Sequence, residues 1–252
     1  MKNYTFEKLT VKIADNRTEM GKTAAADCAQ TLKMLLAEQE IVSMIFAAAP
    51  SQNETLAALA AEPGIDWTRV IAFHMDEYVG LSTDHPQSFG TYLRTHIFSL
   101  LSFKAVHYLR GDAPDVDEEC ERYGKLLAEN PVDIVCLGIG ENGHIAFNDP
   151  GVADFNDPVK VKIAELDQVC RMQQVHDGCF PAIEDVPTHA LTLTIPSLTE
   201  AGHLFCSVPA ATKAEAVYRT CREAISENCP ASVMRRHGHA VMYCDADSGA
   251  RL

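Results

Sequence analysis

Short apolar runs alternate with amphipathic segments along the whole chain. Near-continuous apolar runs of this length are typical of parallel strands that are covered on both faces. They predict strands at residues 42–47, 70–75, 133–138, 191–195, 204–208 and 240–244. Apolar positions at helical spacing predict helices that include residues 53–61, 115–129 and 212–225. This alternation predicts βαβ units and hence an α/β fold with a doubly wound, mostly parallel, modified Rossmann-like sheet, in a single domain spanning residues 1–252.

Ligands of such sheets bind beyond the carboxyl ends of the strands. The segments that follow predicted strands are 49-APSQN, 74-HMDEYVGL, 138-GIGENGHIAFNDPG and 208-VPAATK. We therefore searched these four segments for groups that could do chemistry.

Charge and cysteine usage exclude several classes of protein. The 21 basic and 35 acidic residues give a net charge of −14, which argues against nucleic acid or an anionic membrane as a partner. The nine cysteines form no CxxC pair, and several lie in predicted strands, which indicates buried free thiols in a reducing compartment. The N-terminus has no apolar signal core, and the apolar run at 41–49 is too short to span a bilayer. We expect a cytoplasmic protein.

Three glycines after the strand at 133–138 match the pattern GxGxxG. In a dinucleotide-binding unit this pattern opens a helix, but here Pro150 would interrupt a helix that had barely begun. The glycines instead allow the backbone to approach a ligand closely. The residues that make the pattern are Gly138, Gly140 and Gly143.

Five of the titratable side chains in these segments are candidates for such chemistry. His144 follows the glycine loop, and Asp149 is near enough in sequence to fix its tautomer. Of the adjacent acids Asp76 and Glu77, one can face a cleft while the other points into the protein, because neighbouring side chains in extended backbone alternate. Lys213, at the start of a predicted helix, is favourable there if it shares an anion with the free N–H groups.

Each of these groups also has a purely structural interpretation, as a core histidine, a helix cap or a solvated lysine. Taken together, they predict proton transfer on a phosphorylated metabolite. No metal-binding motif is present in the sequence, so we expect neither a metal nor an organic cofactor.

Four segments resemble the glucosamine-6-phosphate deaminase/isomerase family: MDEYVGL (75–81), GIGENGHIAFNDP (138–150), ALTLTIPSL (190–198) and ATKAEAV (211–217). The similarity covers nearly the whole chain. It implies aldose–ketose isomerisation with deamination, converting glucosamine-6-phosphate to fructose-6-phosphate and ammonia without a cofactor. The implied partner is a small sugar phosphate, and a homo-oligomer is compatible with the family.

The resemblance assigns a role to each matching residue. Asp76 would shuttle a proton between C2 and C1 of the open-chain sugar, and His144 would open the ring. Asn142 stands where the family usually has a supporting acid, just before the last glycine of the loop. Asp149 stands where the family's second supporting acid is typically glutamate, one methylene longer, and it would support the histidine. Because an amide cannot stabilise an imidazolium as a carboxylate can, we expect the support to come from Asp149 alone.

The remaining assignments concern substrate binding. The loop after the first predicted strand, 47-AAAPSQN, is poorer in Gly, Ser and Thr than is usual for the family's phosphate loop. For the family's sugar-contacting arginine we select Arg171, with Gln174 next. The residues predicted to bind substrate are Lys213, Ser51, Gln52, Glu77, Gly143 and Arg171.

Two alternatives stay open. In a 6-phosphogluconolactonase-type hydrolase, His144 would activate water, but such enzymes typically carry arginine where this chain has Tyr78 and serine after the histidine loop. A non-catalytic sugar-phosphate-binding protein of the bacterial regulator type would be joined to a basic DNA-binding module, and the sequence has none. Asp76 and His144 favour an enzyme, with either glucosamine- or galactosamine-6-phosphate as its substrate.

Allosteric members of the family bind N-acetylglucosamine-6-phosphate through Ser, Arg and Lys just after the histidine loop. The corresponding stretch here, 151-GVADFNDPVKVK, carries Asp154 and Asp157 and no hydroxyl group. Like charges repel a dianionic effector, so we expect hyperbolic kinetics without activation by that ligand.

Overall fold

The computed structural model describes residues 1–176 and 178–252. Its strands are β1 (Lys2–Phe6), β2 (Leu9–Ile13), β3 (Val42–Phe46), β4 (Val70–His74), β5 (Asp76–Tyr78), β6 (Ala105–His107), β7 (Ile134–Leu137), β8 (Val161–Glu165), β9 (His189–Leu193), β10 (His203–Val208) and β11 (Ala240–Cys244). Its α-helices are α1 (Arg17–Glu38), α2 (Asn53–Ala60), α3 (Phe89–Leu93), α4 (Val116–Glu129), α5 (Gln168–His176), α6 (Ile195–Thr199) and α7 (Ala214–Arg222).

Eight strands form the central sheet, in the order β1-β2-β11-β10-β7-β3-β4-β6. Only the β1–β2 hairpin is antiparallel, and all other pairs are parallel. Both faces are covered: Ile45 and Val135 join one apolar cluster, and Phe46 and Cys136 join the other. The predicted doubly wound, mostly parallel sheet is confirmed.

One predicted strand lies in a different sheet from the one expected. The run at 191–195 corresponds to β9, which pairs antiparallel with β5 and β8 in a separate three-stranded sheet. Leu191 and Leu193 are nevertheless fully buried, because they pack into the same apolar cluster as the central sheet. Burial on both faces therefore produced the apolar run without parallel pairing.

The helix ends follow local capping. Asp115 begins α4 by accepting hydrogen bonds from the backbone N–H groups of Asp117 and Glu118. The helix predicted at 212–225 is shorter, because a 3₁₀ turn at Ala211–Lys213 precedes α7 and Glu223 is already extended. Lys213 thus lies in the tight turn that leads into the helix.

All nine cysteines are free thiols, and seven of them are buried, as the sequence predicted. Among the described residues, we find no helix with the length and apolar character that a bilayer crossing requires.

Candidate active site

A cleft opens beyond the carboxyl ends of β3, β4, β7 and β10, which is where a doubly wound sheet is expected to bind its ligand. The segments that follow these four strands supply most of its wall, and α1, α3 and α5 supply the rest. The polar side chains that line it are Arg17, Ser51, Gln52, Asp76, His144, Gln173, Gln174, Thr212 and Lys213. Five of the residues predicted for the site therefore share one cleft: Ser51, Gln52, Asp76, His144 and Lys213.

His144 is held by the loop that follows β7. Its Nδ1 lies 2.8 Å from Oδ1 of the fully buried Asp149. Asn142 does not support the ring directly: its amide nitrogen donates to the same Oδ1 at 2.8 Å, and its amide oxygen accepts from the His144 backbone N–H at 2.9 Å. Asn142 therefore orients the carboxylate and the loop, and Asp149 is the carboxylate that faces the imidazole.

The pKa of Asp149 reflects this pairing. Burial raises it, but the hydrogen bond and charge of His144 and the Asn142 amide together outweigh burial, and the pKa lies below its usual value. An ionised Asp149 stabilises positive charge on the imidazole. This arrangement allows His144 to accept a proton and to return it.

Each glycine of the loop has its own steric reason. A Cβ at Gly140 would lie 2.1 Å from Cε1 of His144, so the imidazole packs directly on the backbone there. A Cβ at Gly138 would lie 2.8 Å from the Gln52 amide nitrogen. Gly143 has φ of 88° and faces the Cys229 sulfur, which a Cβ would approach to 2.7 Å. The loop therefore requires glycine for packing around the histidine as well as for closeness to a ligand.

Asp76 and Glu77 point to different environments, as their alternation in β5 predicts. The Asp76 side chain lines the cleft. Glu77 is 3% exposed and accepts hydrogen bonds from the backbone N–H groups of Tyr78, Phe89 and Gly90, which include the start of α3. Glu77 thus fixes α3 beside the cleft.

Burial shifts the proton affinity of both acids. Burial, with a smaller effect from the charge of Glu77, holds the pKa of Asp76 well above its usual value. Burial also raises the pKa of Glu77 to about 7, against the opposing effect of its three backbone donors. A carboxylate with a raised pKa is a stronger base, which suits removal of a proton from carbon.

The two cations of the cleft, Lys213 and Arg17, lie with the loop after β3. Lys213 is only 5% exposed. Arg17 begins α1, donates to the carbonyl of Pro50, and has its Nε 2.7 Å from Oε1 of Glu54. Ser51 accepts a hydrogen bond from the Gln52 amide at 3.1 Å. Cations beside hydroxyl and amide groups can hold a phosphate.

Comparison with known proteins identifies the family. The model of a family described as "Glucosamine-6-phosphate isomerases/6-phosphogluconolactonase" matches residues 15–243. The chain belongs to this family.

Individual relatives agree with that membership. The glucosamine-6-phosphate deaminases of Bacillus thuringiensis (strain Al Hakam) and Bacillus anthracis (strain CDC 684 / NRRL 3495) are each 41% identical over 184 residues, which cover 73% of this chain and 68% of theirs. The structure of a monomeric glucosamine-6-phosphate deaminase superposes with a TM-score of 0.87 at 28% identity, covering 96% of this chain and 99% of that one. A 6-phosphogluconolactonase from Trypanosoma brucei shares the fold, with a TM-score of 0.81 at 17% identity over 98% and 100% of the chains.

Three residues that the sequence predicted to bind substrate do not line the cleft. Arg171 donates to the carbonyls of Ile183 and Val186, because its guanidinium reaches back over the segment that follows α5. Glu77 is held by backbone amides, and Gly143 faces Cys229. From α5, Gln174 and Gln173 line the cleft instead, and the Gln173 amide oxygen also accepts from the Glu141 backbone N–H at 3.0 Å.

Sequence reasoning missed Arg17 and Gln173. Arg17 follows β2, a strand that the apolar pattern did not reveal, so the end of that strand was not searched. Gln173 had no motif around it, although its neighbour Gln174 was named. Only its position next to Gln174 could have indicated that Gln173 lines the cleft.

Proposed function

We propose that the chain is a glucosamine-6-phosphate deaminase, which converts glucosamine-6-phosphate and water to fructose-6-phosphate and ammonium. The observation that carries the proposal is the buried Asp76 carboxylate in the same cleft as the His144–Asp149 pair. The 41% identity to curated glucosamine-6-phosphate deaminases supports the same reaction. We propose that the protein, as an enzyme of sugar-phosphate metabolism, acts in the cytoplasm.

His144 begins the reaction at the closed sugar ring. In our proposal its imidazole takes the proton of the C1 hydroxyl and returns a proton to the ring oxygen, and the ring opens. Asp149 stabilises the imidazolium that exists between the two transfers. Asn142 contributes by holding the Asp149 oxygen towards the ring.

Asp76 then moves the proton that changes an aldose into a ketose. Its carboxylate removes the proton from C2 of the open chain and delivers it to C1, which leaves an imine at C2 that water hydrolyses to release ammonia. A proton next to a carbonyl is weakly acidic, so the base must be positioned and shielded from water. The burial of Asp76 satisfies the second requirement.

The phosphate of the substrate needs groups that neutralise its negative charge. We assign Lys213, Ser51 and Gln52 to this group and add Arg17, whose guanidinium lines the same cleft. We assign Gln173 and Gln174, which also line the cleft, to the sugar hydroxyls.

The lactonase alternative is disfavoured by one feature of the core. Where those enzymes typically carry arginine, Tyr78 is fully buried, with its ring 4.7 Å from that of Phe89 and 5.6 Å from that of Phe147. The position serves packing in this chain.

One coupled assay tests the proposal. Purified protein is given glucosamine-6-phosphate, and ammonium and fructose-6-phosphate are measured together, with galactosamine-6-phosphate and 6-phosphogluconolactone in parallel. We expect both products in equal amounts from the gluco substrate. Hydrolysis of the lactone alone would replace the proposal with the lactonase reading, and binding without turnover would favour the sugar-phosphate-binding alternative.

A further inference from the structure

A third side chain with metal-binding chemistry lies against the His144–Asp149 pair. Cys170, in the first turn of α5, is 1% exposed. One ligand atom from each of the three residues, an imidazole nitrogen, a carboxylate oxygen and the Cys170 sulfur, lies within 4.8 Å of the other two. Nitrogen, oxygen and sulfur ligands of these types are those that zinc binds in proteins.

The carboxylate of Asp149 has unused capacity. Its Oδ1 accepts from Asn142 and lies beside His144, and the Cys170 thiol, a weak donor, also hydrogen-bonds to the carboxylate. Apart from that thiol, the buried Oδ2 has no hydrogen-bond donor among the described residues. Asp149 itself is 0% exposed. A buried carboxylate oxygen that lacks a strong donor is costly, and a cation would satisfy it.

The surrounding charge also favours a cation. The carboxylates of Asp149 and Asp167 act on Cys170 electrostatically. The negative field of these carboxylates attracts a divalent ion. A coordinating metal removes the thiol proton outright, so that one Zn²⁺ would balance one carboxylate and one thiolate.

We propose that His144, Asp149 and Cys170 form an inhibitory site for Zn²⁺ or a similar thiophilic divalent cation. Binding releases the Cys170 proton to solvent and forms bonds from the metal to Nδ1 of His144, a carboxylate oxygen of Asp149 and the Cys170 sulfur. A water molecule completes the fourth position.

The geometry needs only small adjustments. Zinc bonds of about 2.0–2.3 Å in a tetrahedron place ligand atoms about 3.5 Å apart. The 2.8 Å between Nδ1 and Oδ1 must open slightly, and the separations to sulfur of up to 4.8 Å must close by about 1 Å.

Occupancy would stop the enzyme. A metal on Nδ1 separates the imidazole from Asp149 and prevents the ring from carrying positive charge during proton transfer. In our proposal, an excess of the metal therefore inhibits the enzyme through this site.

Metal binding can be measured without any turnover assay, so its failure is distinguishable from failure of the proposed function. The metal-free full-length protein is titrated with Co²⁺, and thiolate-to-cobalt charge-transfer absorption is recorded. Native mass spectrometry then counts Zn²⁺ per chain. We expect one ion per chain, a thiolate band that Zn²⁺ displaces, and affinity that rises with pH because a proton is released.

Two ligand variants and one matched control make the test specific. Cys170→Ser should abolish the band and weaken Zn²⁺ binding by at least about tenfold, and Asp149→Asn should weaken it while retaining the band. Cys120→Ser removes a half-buried thiol on α4 and should change neither property. No thiolate band in the wild-type protein, or a band that persists in folded Cys170→Ser, would overturn the proposal.

Discussion

Gly140→Ala is the sharpest test of how the loop after β7 positions the histidine. A Cβ added at residue 140 would lie 2.1 Å from Cε1, 2.3 Å from Nδ1 and 2.4 Å from Nε2 of His144. Carbon atoms in contact normally stay about 3.5–4.0 Å apart. The ring must therefore move by more than about 1 Å, away from a backbone that the β7 strand and the Gly140–Gly143 turn hold in place.

A displacement of that size is enough to disable proton transfer. Misplacing a reacting group by about 1 Å can cost about 10²-fold in rate, so we expect kcat with the cyclic substrate to fall by about that factor. The residues that we propose bind the phosphate are untouched, and KM should change much less. The measurement is the coupled ammonium assay, accompanied by thermal unfolding to confirm that the variant is folded.

The matched control is Gly238→Ala, because a Cβ there meets no atom within 4 Å and no positive φ stands in the way. That variant should retain wild-type kcat. If Gly140→Ala also turned over at the wild-type rate, the imidazole would not need its observed position, and the role of His144 in ring opening would be refuted.

Three further predictions concern the catalytic base, the binding of the phosphate and the regulation of the enzyme. Asp76→Asn should lower turnover by about 10²–10⁴ yet raise the melting temperature, by more as the pH rises through the folded-state pKa of Asp76. The reason is that the raised pKa of Asp76 stabilises the fold only while the acid is protonated, and that contribution is lost as pH rises through the folded-state pKa. A wild-type turnover rate in this variant would remove Asp76 from the mechanism. Lys213→Ala should raise KM by about 10- to 100-fold. The control Lys125→Ala removes a side chain that is 74% exposed and should leave KM unchanged. Equal effects of the two substitutions on KM would show that Lys213 does not bind the phosphate. Saturation curves with and without N-acetylglucosamine-6-phosphate should be hyperbolic and superimposable, and a sigmoidal curve made hyperbolic by that ligand would reveal an effector site.

The apolar pattern found the strands that are buried on both faces and missed the others. β3, β4, β7, β10 and β11 are near-continuous apolar runs because helices cover the sheet on each side. β1 and β2 mix polar and apolar positions at one edge of the sheet, and β5 and β6 have three residues each. Pairing direction left no trace in the sequence, so β9 was placed in the wrong sheet.

The site followed the same logic. Residues inside recognisable segments, such as Asp76 and His144, could be named from the sequence because a strand end fixes their position. Arg17 and Cys170 reach the site only through tertiary packing, since α1 and α5 carry no signal of what they face. Arg171, which the sequence predicted to contact the sugar, does not line the cleft, because its long side chain reaches backbone carbonyls near it in the chain.

The cleft draws its groups from the ends of strands that are neighbours in the sheet but distant in the chain, from Arg17 to Lys213. No fragment of the protein contains a working binding surface, so a bound sugar phosphate acts on the cooperative unit as a whole. At a concentration of 100 times its Kd it would add about 2.7 kcal/mol to the free energy of global unfolding. Amide hydrogens in β7 and β10 should then exchange more slowly with ligand, whereas β1, an edge strand that contributes no group to the cleft, can fray without releasing it.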